Sequence, residues 1–169
     1  SLAWMFVEWK KFGKPSALGI ATGMVAGLGT ITPASGFVGP GGALVIGTVA
    51  GVVCFYMVIF IKQKLKIDDS LDVFPVHGIG GMLGTLAAAV FASTGLGAFS
   101  GYGFALESYG MLEQFGVQLL GVVVVTLYTA VITWVLLKLV ALFSALRVTV
   151  EQETQGLDIV LHEERGYDI

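Results

Sequence analysis

The chain contains a long stretch without a single charged residue: between Pro15 and Ile61 there is no Asp, Glu, Lys or Arg. Such a stretch can hold two membrane-crossing helices of about 20 residues each, with a connection between them. A water-soluble core would need helices with one polar face, and these segments have none. The whole chain agrees, because only 12% of its residues are charged, about half the share usual in soluble domains. We therefore predict an all-α integral membrane protein.

Five apolar blocks divide the sequence. The first is too short to cross a bilayer, and we interpret it as the last turns of a span. The final block is longer than one crossing requires, so a tilted or protruding helix is expected. The predicted transmembrane bundle covers residues 1–146, and a polar, acidic tail covers 147–169. Within the bundle we predict a stub at 1–10 and spans at about 16–34, 41–61, 73–93 and 115–146.

The connections between these blocks alternate between basic and non-basic. The second connection, residues 35–40, has no charge, and the fourth, residues 94–114, carries only two glutamates. Cytoplasmic loops carry the excess of Lys and Arg in membrane proteins. The first and third connections are the basic ones. Four crossings of the cell membrane therefore place these two connections and the tail in the cytoplasm. The basic residues are Lys10, Lys11, Lys14, Lys62, Lys64 and Lys66.

Small residues recur at every fourth position in three blocks. In lipid, such stripes let helix backbones approach closely and pack by dispersion. The pattern predicts a tight polytopic helical bundle rather than a single-helix anchor. The stripes are Gly19, Gly23 and Gly27, then Ala43, Gly47 and Gly51, and finally Gly80 and Gly84.

One histidine interrupts an otherwise uncharged block. Between Val73 and Leu106 there is no Asp, Glu, Lys or Arg, and His77 is the only histidine. Its imidazole can donate, accept or relay a proton, and an ionisable group inside a span marks a functional site by default. On the residues alone, His77 is a proton relay, a ligand or a packing residue. His162 lies in the polar tail, and we do not expect it to be a catalytic partner.

The sequence lacks the signatures of soluble enzymes. It has no phosphate-binding loop, no dinucleotide fingerprint, no serine elbow, and no Cys or His cluster for a metal. Cys54 is the single cysteine and lies in an apolar block, which favours packing. We therefore expect no enzyme activity, no cofactor or metal, and no nucleic-acid partner.

The residues around His77 resemble the second histidine motif of the ammonium transporter family (Amt/Mep/Rh). That motif reads DVFPVHGIGG from Asp72 to Gly81. Further matching segments are WMFVEW at 4–9, ITPASGFVGPGGA at 31–43 and GLD at 156–158. The resemblance covers essentially the whole chain in order. It implies the second inverted-repeat half of that fold, from the end of the seventh through the eleventh transmembrane helix, with a long final helix.

The resemblance also implies a mechanism and partners. In the family, two pore histidines, one from each half, meet across a hydrophobic pore, and His77 would be the second of them. Removing water from a whole ammonium ion is expensive, so ammonia and a relayed proton cross more cheaply. The first histidine and the aromatic recruitment site belong to an N-terminal half that these residues lack. The implied partners are that missing half, two further copies in a homotrimer, the lipid bilayer, and ammonium or ammonia.

Two more residues gain pore roles from this resemblance. Val73 lies one helical turn before His77, shares its face and would form apolar pore wall. Thr32 would lie near the pore on the neighbouring helix, although a bond to its own helix carbonyl is an equal alternative. Asp72 matches an acidic position of the family, and its place at the cytoplasmic end favours a helix N-cap.

The tail carries a possible regulatory segment. Gly156, Leu157 and Asp158 resemble the family segment that PII signal proteins engage in many members. The following residues depart from the family pattern, because His-Glu-Glu-Arg-Gly-Tyr stands at 162–167 where His-Gly-Glu-x-Ala-Tyr is common. From its composition alone, the tail is a solvated terminus or a docking segment for a cytoplasmic partner.

Two other functions compete with transport. The first is an ammonium sensor, in which the pore is retained and the tail carries the signal. The second is a membrane scaffold that conducts nothing and uses its glycine faces for assembly. The role of His77 separates the scaffold from the transporter.

Overall fold

The computed structural model describes residues 1–104, 106 and 109–164. Every regular element in these ranges is helical, so the all-α prediction is confirmed. The chain forms two compact units, Ser1–Val123 and Val124–Ile169. The α-helices are α1 (Leu2–Phe12), α2 (Ala17–Ile31), α3 (Pro40–Ile59), α4 (Gly80–Phe91), α5 (Met111–Val140), α6 (Val150–Gln155) and α7 (Leu157–His162). Short 3-10 turns cover Thr32–Ala34 and Gly97–Phe99, and π-helical turns cover Phe60–Lys64 and Phe74–Ile79.

Four helical segments are long and apolar enough to cross a membrane. The fourth begins at Met111 and ends at Val140, several residues before the apolar block itself ends. Its start is marked by Glu113, whose carboxylate accepts a hydrogen bond from the Gly110 amide at 3.1 Å. Such a contact satisfies one of the amides left free at a helix N-terminus. The segments are Ala17–Ala34, Pro40–Lys64, Phe74–Phe91 and Met111–Val140.

The connection between α1 and α2 is fixed by a glutamate. Gly13 ends α1 in the left-handed conformation, with a φ of 81°. Ser16 then caps α2 by accepting a hydrogen bond from the Gly19 amide at 2.9 Å. The Glu8 carboxylate accepts from both the amide and the hydroxyl of Ser16, at 3.1 and 2.8 Å. A charge in α1 thereby holds the cap of the next helix.

A small core lies where α1, α2, α3 and the turn before α4 meet. The Trp4 and Phe55 rings pack edge to face, with centroids 5.4 Å apart. Cys54 belongs to this core as a fully buried thiol. Because these helices are apolar on every side, close contact rather than water exclusion holds them together. The buried members are Trp4, Ala26, Cys54, Phe55 and Val76.

The glycine stripes explain how α2 and α4 approach each other. A Cβ on Gly84 would overlap the carbonyl oxygen of Thr30, and a Cβ on Gly80 would lie 2.8 Å from the Thr30 hydroxyl oxygen. Not every glycine of the stripes packs in this way. Gly27 and Gly47 have no atom within 4 Å of the same point, so their faces are open in this chain. The stripes therefore mark close contacts at only part of their positions.

The contact at Gly84 can be tested by adding one methyl group. Gly84→Ala forces the new Cβ into the Thr30 carbonyl, and overpacking of this kind costs about 1–3 kcal/mol. We expect a lower melting temperature of the protein in detergent. Gly81→Ala, in the same helix, is the control because nothing lies within 4 Å of its Cβ position. Equal melting temperatures for the two variants would contradict the proposed close approach.

Candidate functional site

His77 lies inside a π-helical turn, Phe74–Ile79, immediately before α4. Its flanking residues Pro75 and Val76 are buried, whereas His77 itself is exposed on the side of the bundle. The imidazole Nδ1 lies 3.7 Å from the point that a Cβ on Gly29 would occupy. This is an ordinary van der Waals distance, so the imidazole lies beside α2 at Gly29. π-turns are rare and occur frequently at functional sites.

Val73 and Thr32 flank this position on the two helices. Val73 is 51% exposed and precedes the π-turn by one residue, about one turn before His77. Thr32 follows Gly29 by three residues, which puts it within about 60° of the same helix face. Its hydroxyl donates a hydrogen bond to the Leu28 carbonyl at 2.7 Å. Since that bond uses the only hydroxyl proton, Thr32 can act towards a solute as an acceptor alone.

The helix cap before His77 is not the residue that the sequence favoured. Asp69 accepts hydrogen bonds from the amides of Val73 and Phe74, at 2.9 and 2.8 Å, so Asp69 is the capping residue. Asp72 instead has a left-handed φ of 55°. Its carboxylate forms an ion pair with Lys62, at 2.6 Å. The prediction that Asp72 caps the helix is wrong, because its carboxylate pairs with Lys62, whereas the amides of Val73 and Phe74 bond to Asp69.

The chemistry available on this face is that of a single imidazole in apolar surroundings. No group of three His, Cys, Asp or Glu side chains able to hold a metal ion occurs in the described part of the chain. A neutral imidazole carries one donor and one acceptor nitrogen, so it can take a proton on one side and release one on the other. Val73 and Gly29 offer no competing hydrogen bond. The face suits a small hydrogen-bonding solute that crosses an apolar environment.

The second unit contains the tail helices α6 and α7. Thr149 and Gln152 form a reciprocal capping box at the start of α6, where the Thr149 hydroxyl accepts from the Gln152 amide at 3.3 Å. Hydrogen bonds from its own backbone amide and from the Thr149 hydroxyl hold the pKa of Glu151 below its ordinary value. Gly156 joins the helices with a φ of 95°.

The regulatory residues proposed from the sequence lie at this joint. Leu157 and Asp158 form the first turn of α7, directly after Gly156. His162 ends α7. Of the two positions that depart from the family pattern, Glu163 is the C-cap of α7 with a left-handed φ of 55°, and Gly166 lies outside the described residues.

Sequence reasoning missed three elements of the site. The π-turn at His77 has no simple sequence signal, and Pro75 lies in its first positions, where a helix tolerates proline. The Asp69 cap was missed because the helix-start signal is an Asp immediately before an apolar block, which points to Asp72 instead. Thr30 of α2, fully buried where α2 meets α4, was not singled out, and a threonine between Gly29 and Ile31 gives no such signal.

The comparisons with known proteins agree with this architecture. The family model described as Ammonium Transporter Family matches residues 1–167. An ammonium transporter of Aquifex aeolicus is 42% identical over 169 residues, which is all of this chain and 38% of that protein. Ammonium transporter Amt1 of Archaeoglobus fulgidus is 43% identical over 164 residues, 97% of this chain and 40% of that protein. The chain thus spans about two fifths of the length of these relatives.

A solved structure has the same fold. The structure titled "Sensor Amt Protein" superposes with a TM-score of 0.81 at 30% identity, over 95% of this chain and 38% of that one. With its four apolar helices and this match, the protein is a multi-pass membrane protein. The chain belongs to the ammonium transporter family.

Proposed function

We propose that this chain supplies the part of an ammonium-conducting pore that carries His77. The observation that supports this function is a solitary imidazole on an exposed face of a membrane-crossing segment, held in a π-turn beside Gly29. Family membership makes ammonium the substrate that fits best. Val73 would form the apolar wall one turn away, and Thr32 would accept a hydrogen bond from the passing solute.

The mechanism follows from the free energy of hydration. A whole ammonium ion loses a large hydration free energy in an apolar pore, whereas ammonia loses much less. A solute that gives up its proton at the pore entrance can therefore cross as ammonia, while the proton moves separately. His77 accepts a hydrogen bond from ammonia on one ring nitrogen and relays a proton through the other. A second histidine from the remainder of the protein would complete the pair.

The proposed assembly includes more than this chain. The relatives are about two and a half times as long as the matching region, and their additional length would supply the other half of the pore. We propose a homotrimer in the cell membrane, with the lysine-rich connections and the tail in the cytoplasm. The lysines of residues 10–14 and 62–66 support this orientation through the positive-inside rule.

The tail has two possible roles under this proposal. As a docking segment it would present the turn at Gly156, Leu157 and Asp158 to a PII signal protein. The sensor hypothesis assigns the output of the pore to the same tail, and one matching structure is titled a sensor. The matching relatives are named ammonium transporters, so we favour transport.

The role of His77 is tested by its removal. In the longer protein that carries these residues, His77→Ala should lower methylammonium uptake by at least about tenfold, since relay groups contribute about 10²- to 10⁴-fold to proton transfer. His162→Ala, which changes the other histidine of this chain, should leave uptake unchanged. Undiminished uptake by folded His77→Ala protein would mean that His77 is merely structural and that the proposed relay is wrong.

The role of Thr32 is tested by two substitutions, one of which is isosteric. Thr32→Val removes the acceptor oxygen but keeps the shape of the side chain, and we expect a two- to tenfold lower uptake, the effect of about 0.5–1.5 kcal/mol for one hydrogen bond. Thr32→Ser retains the oxygen and should conduct like the parent protein. If valine conducts as well as serine, the hydroxyl serves only its own helix.

The tail proposal is tested at Gly156. Gly156→Ala puts a Cβ on a residue with φ 95° and ψ 126°, and backbone strain of this kind costs about 1–3 kcal/mol. We expect binding of a PII protein to weaken by at least about fivefold in calorimetry. Gln155→Ala is the control, because alanine is fully compatible with α6. Equal affinity for both variants would mean that the turn is a solvated terminus.

A further inference from the structure

The two π-helical turns of the first unit are connected through a short loop. One turn, Phe60–Lys64, ends α3, and the other, Phe74–Ile79, carries His77. Lys62 in the first turn forms an ion pair with Asp72, two residues before the second. Asp72 has only 18% of its side chain exposed, so solvent screens this pair less than an ordinary surface pair. The ion pair therefore fixes where the chain enters the turn that carries His77.

Asp69 completes the hydrogen bonding at the start of the helical segment that carries His77. A helix leaves its first four amides without partners inside the helix. Here the Asp69 carboxylate accepts from Val73 and Phe74, at 2.9 and 2.8 Å. Pro75 has no amide proton, and the Asp72 amide donates to the Asp69 carbonyl at 3.3 Å. Each of the four positions is accounted for, and one carboxylate supplies two of the bonds.

The start of this π-turn decides where the imidazole points. Beyond His77, α4 cannot shift, because Gly80 and Gly84 lie against Thr30 with no spare room. A π-turn holds one more residue per hydrogen-bonded ring than an α-turn. Without the Asp69 hydrogen bonds and the Lys62–Asp72 pair, the turn could relax to α-helix. The residues before Gly80 would then rotate about the helix axis by about 100°, the angle of one residue. His77 would then leave its place beside Gly29.

We propose that Asp69 and the Lys62–Asp72 pair are positioning residues for His77: together they maintain the π-turn that directs the imidazole along the face shared with Gly29. This inference rests on the proposed pore function of His77. Neither Asp69 nor Lys62 needs to touch the solute. Both act through the backbone of Phe74–Ile79.

The proposal predicts a loss of rate without a loss of substrate affinity. In the full-length protein, Asp69→Ala removes both acceptors and should lower the maximal methylammonium uptake rate per folded molecule by about 10- to 100-fold, since misplacement by about 1 Å costs up to about 10²-fold. Asp69→Asn keeps one acceptor oxygen and should give an intermediate rate. Lys62→Gln should lower the rate as well. The KM for uptake should change less than twofold in each variant.

Matched controls lie beside each substituted residue. Asp68→Asn removes the same charge from the same loop, and Lys64→Gln removes a lysine from the same π-turn as Lys62. Both should conduct at the parent rate. The second readout is the ¹⁵N spectrum of the His77 imidazole, assigned by its loss in His77→Ala. Asp69→Ala should shift these signals, whereas Asp68→Asn should not.

The outcomes separate this inference from the proposed function. If His77→Ala abolishes uptake while Asp69→Ala only lowers the melting temperature, with the rate per folded molecule and the imidazole signals unchanged, Asp69 is merely a helix cap and the inference is overturned. If His77→Ala conducts normally, the pore function itself fails. A rate loss in Asp68→Asn equal to that in Asp69→Asn would also overturn the inference, because net charge would then explain both.

Discussion

The contact of α4 with Thr30 of α2 is the constraint on which the first unit depends. Thr30 is fully buried, and Gly80 and Gly84 bring the α4 backbone against it without intervening side chains. Inside a bilayer there is no water to drive apolar helices together, so such close contact supplies the dispersion energy that a core supplies in water. The position of His77 beside Gly29 follows from this contact, because both residues lie on the chain segments that it joins.

Much of the architecture could be predicted because a lipid bilayer permits few kinds of backbone structure. The charge-free stretch from Pro15 to Ile61 allows only helices that satisfy their own backbone groups, and the family of the chain was recognisable from the residues around His77. The glycine stripes were less informative. Gly84 packs against α2, whereas Gly27 and Gly47 face open space in this chain, since a spacing of four residues does not tell which side of a helix has a neighbour.

The candidate site was harder to predict than the fold. The importance of His77 followed from its cost in an apolar span, but the π-turn around it depends on backbone bonds that no residue pattern specifies. The choice between Asp69 and Asp72 as the cap failed for a similar reason. Three aspartates lie within five residues. What distinguishes Asp72 is its left-handed φ and its ion pair with Lys62, a contact with a residue ten positions earlier in the chain.

The absence of space between Gly84 and the Thr30 carbonyl also limits how this half can move. Two helices in such close contact can slide or rotate past each other only by separating first. The close contact therefore disfavours a change in the depth of the imidazole relative to α2. Under the proposed pore function, a gate that opens and closes would lie in elements other than α2 and α4.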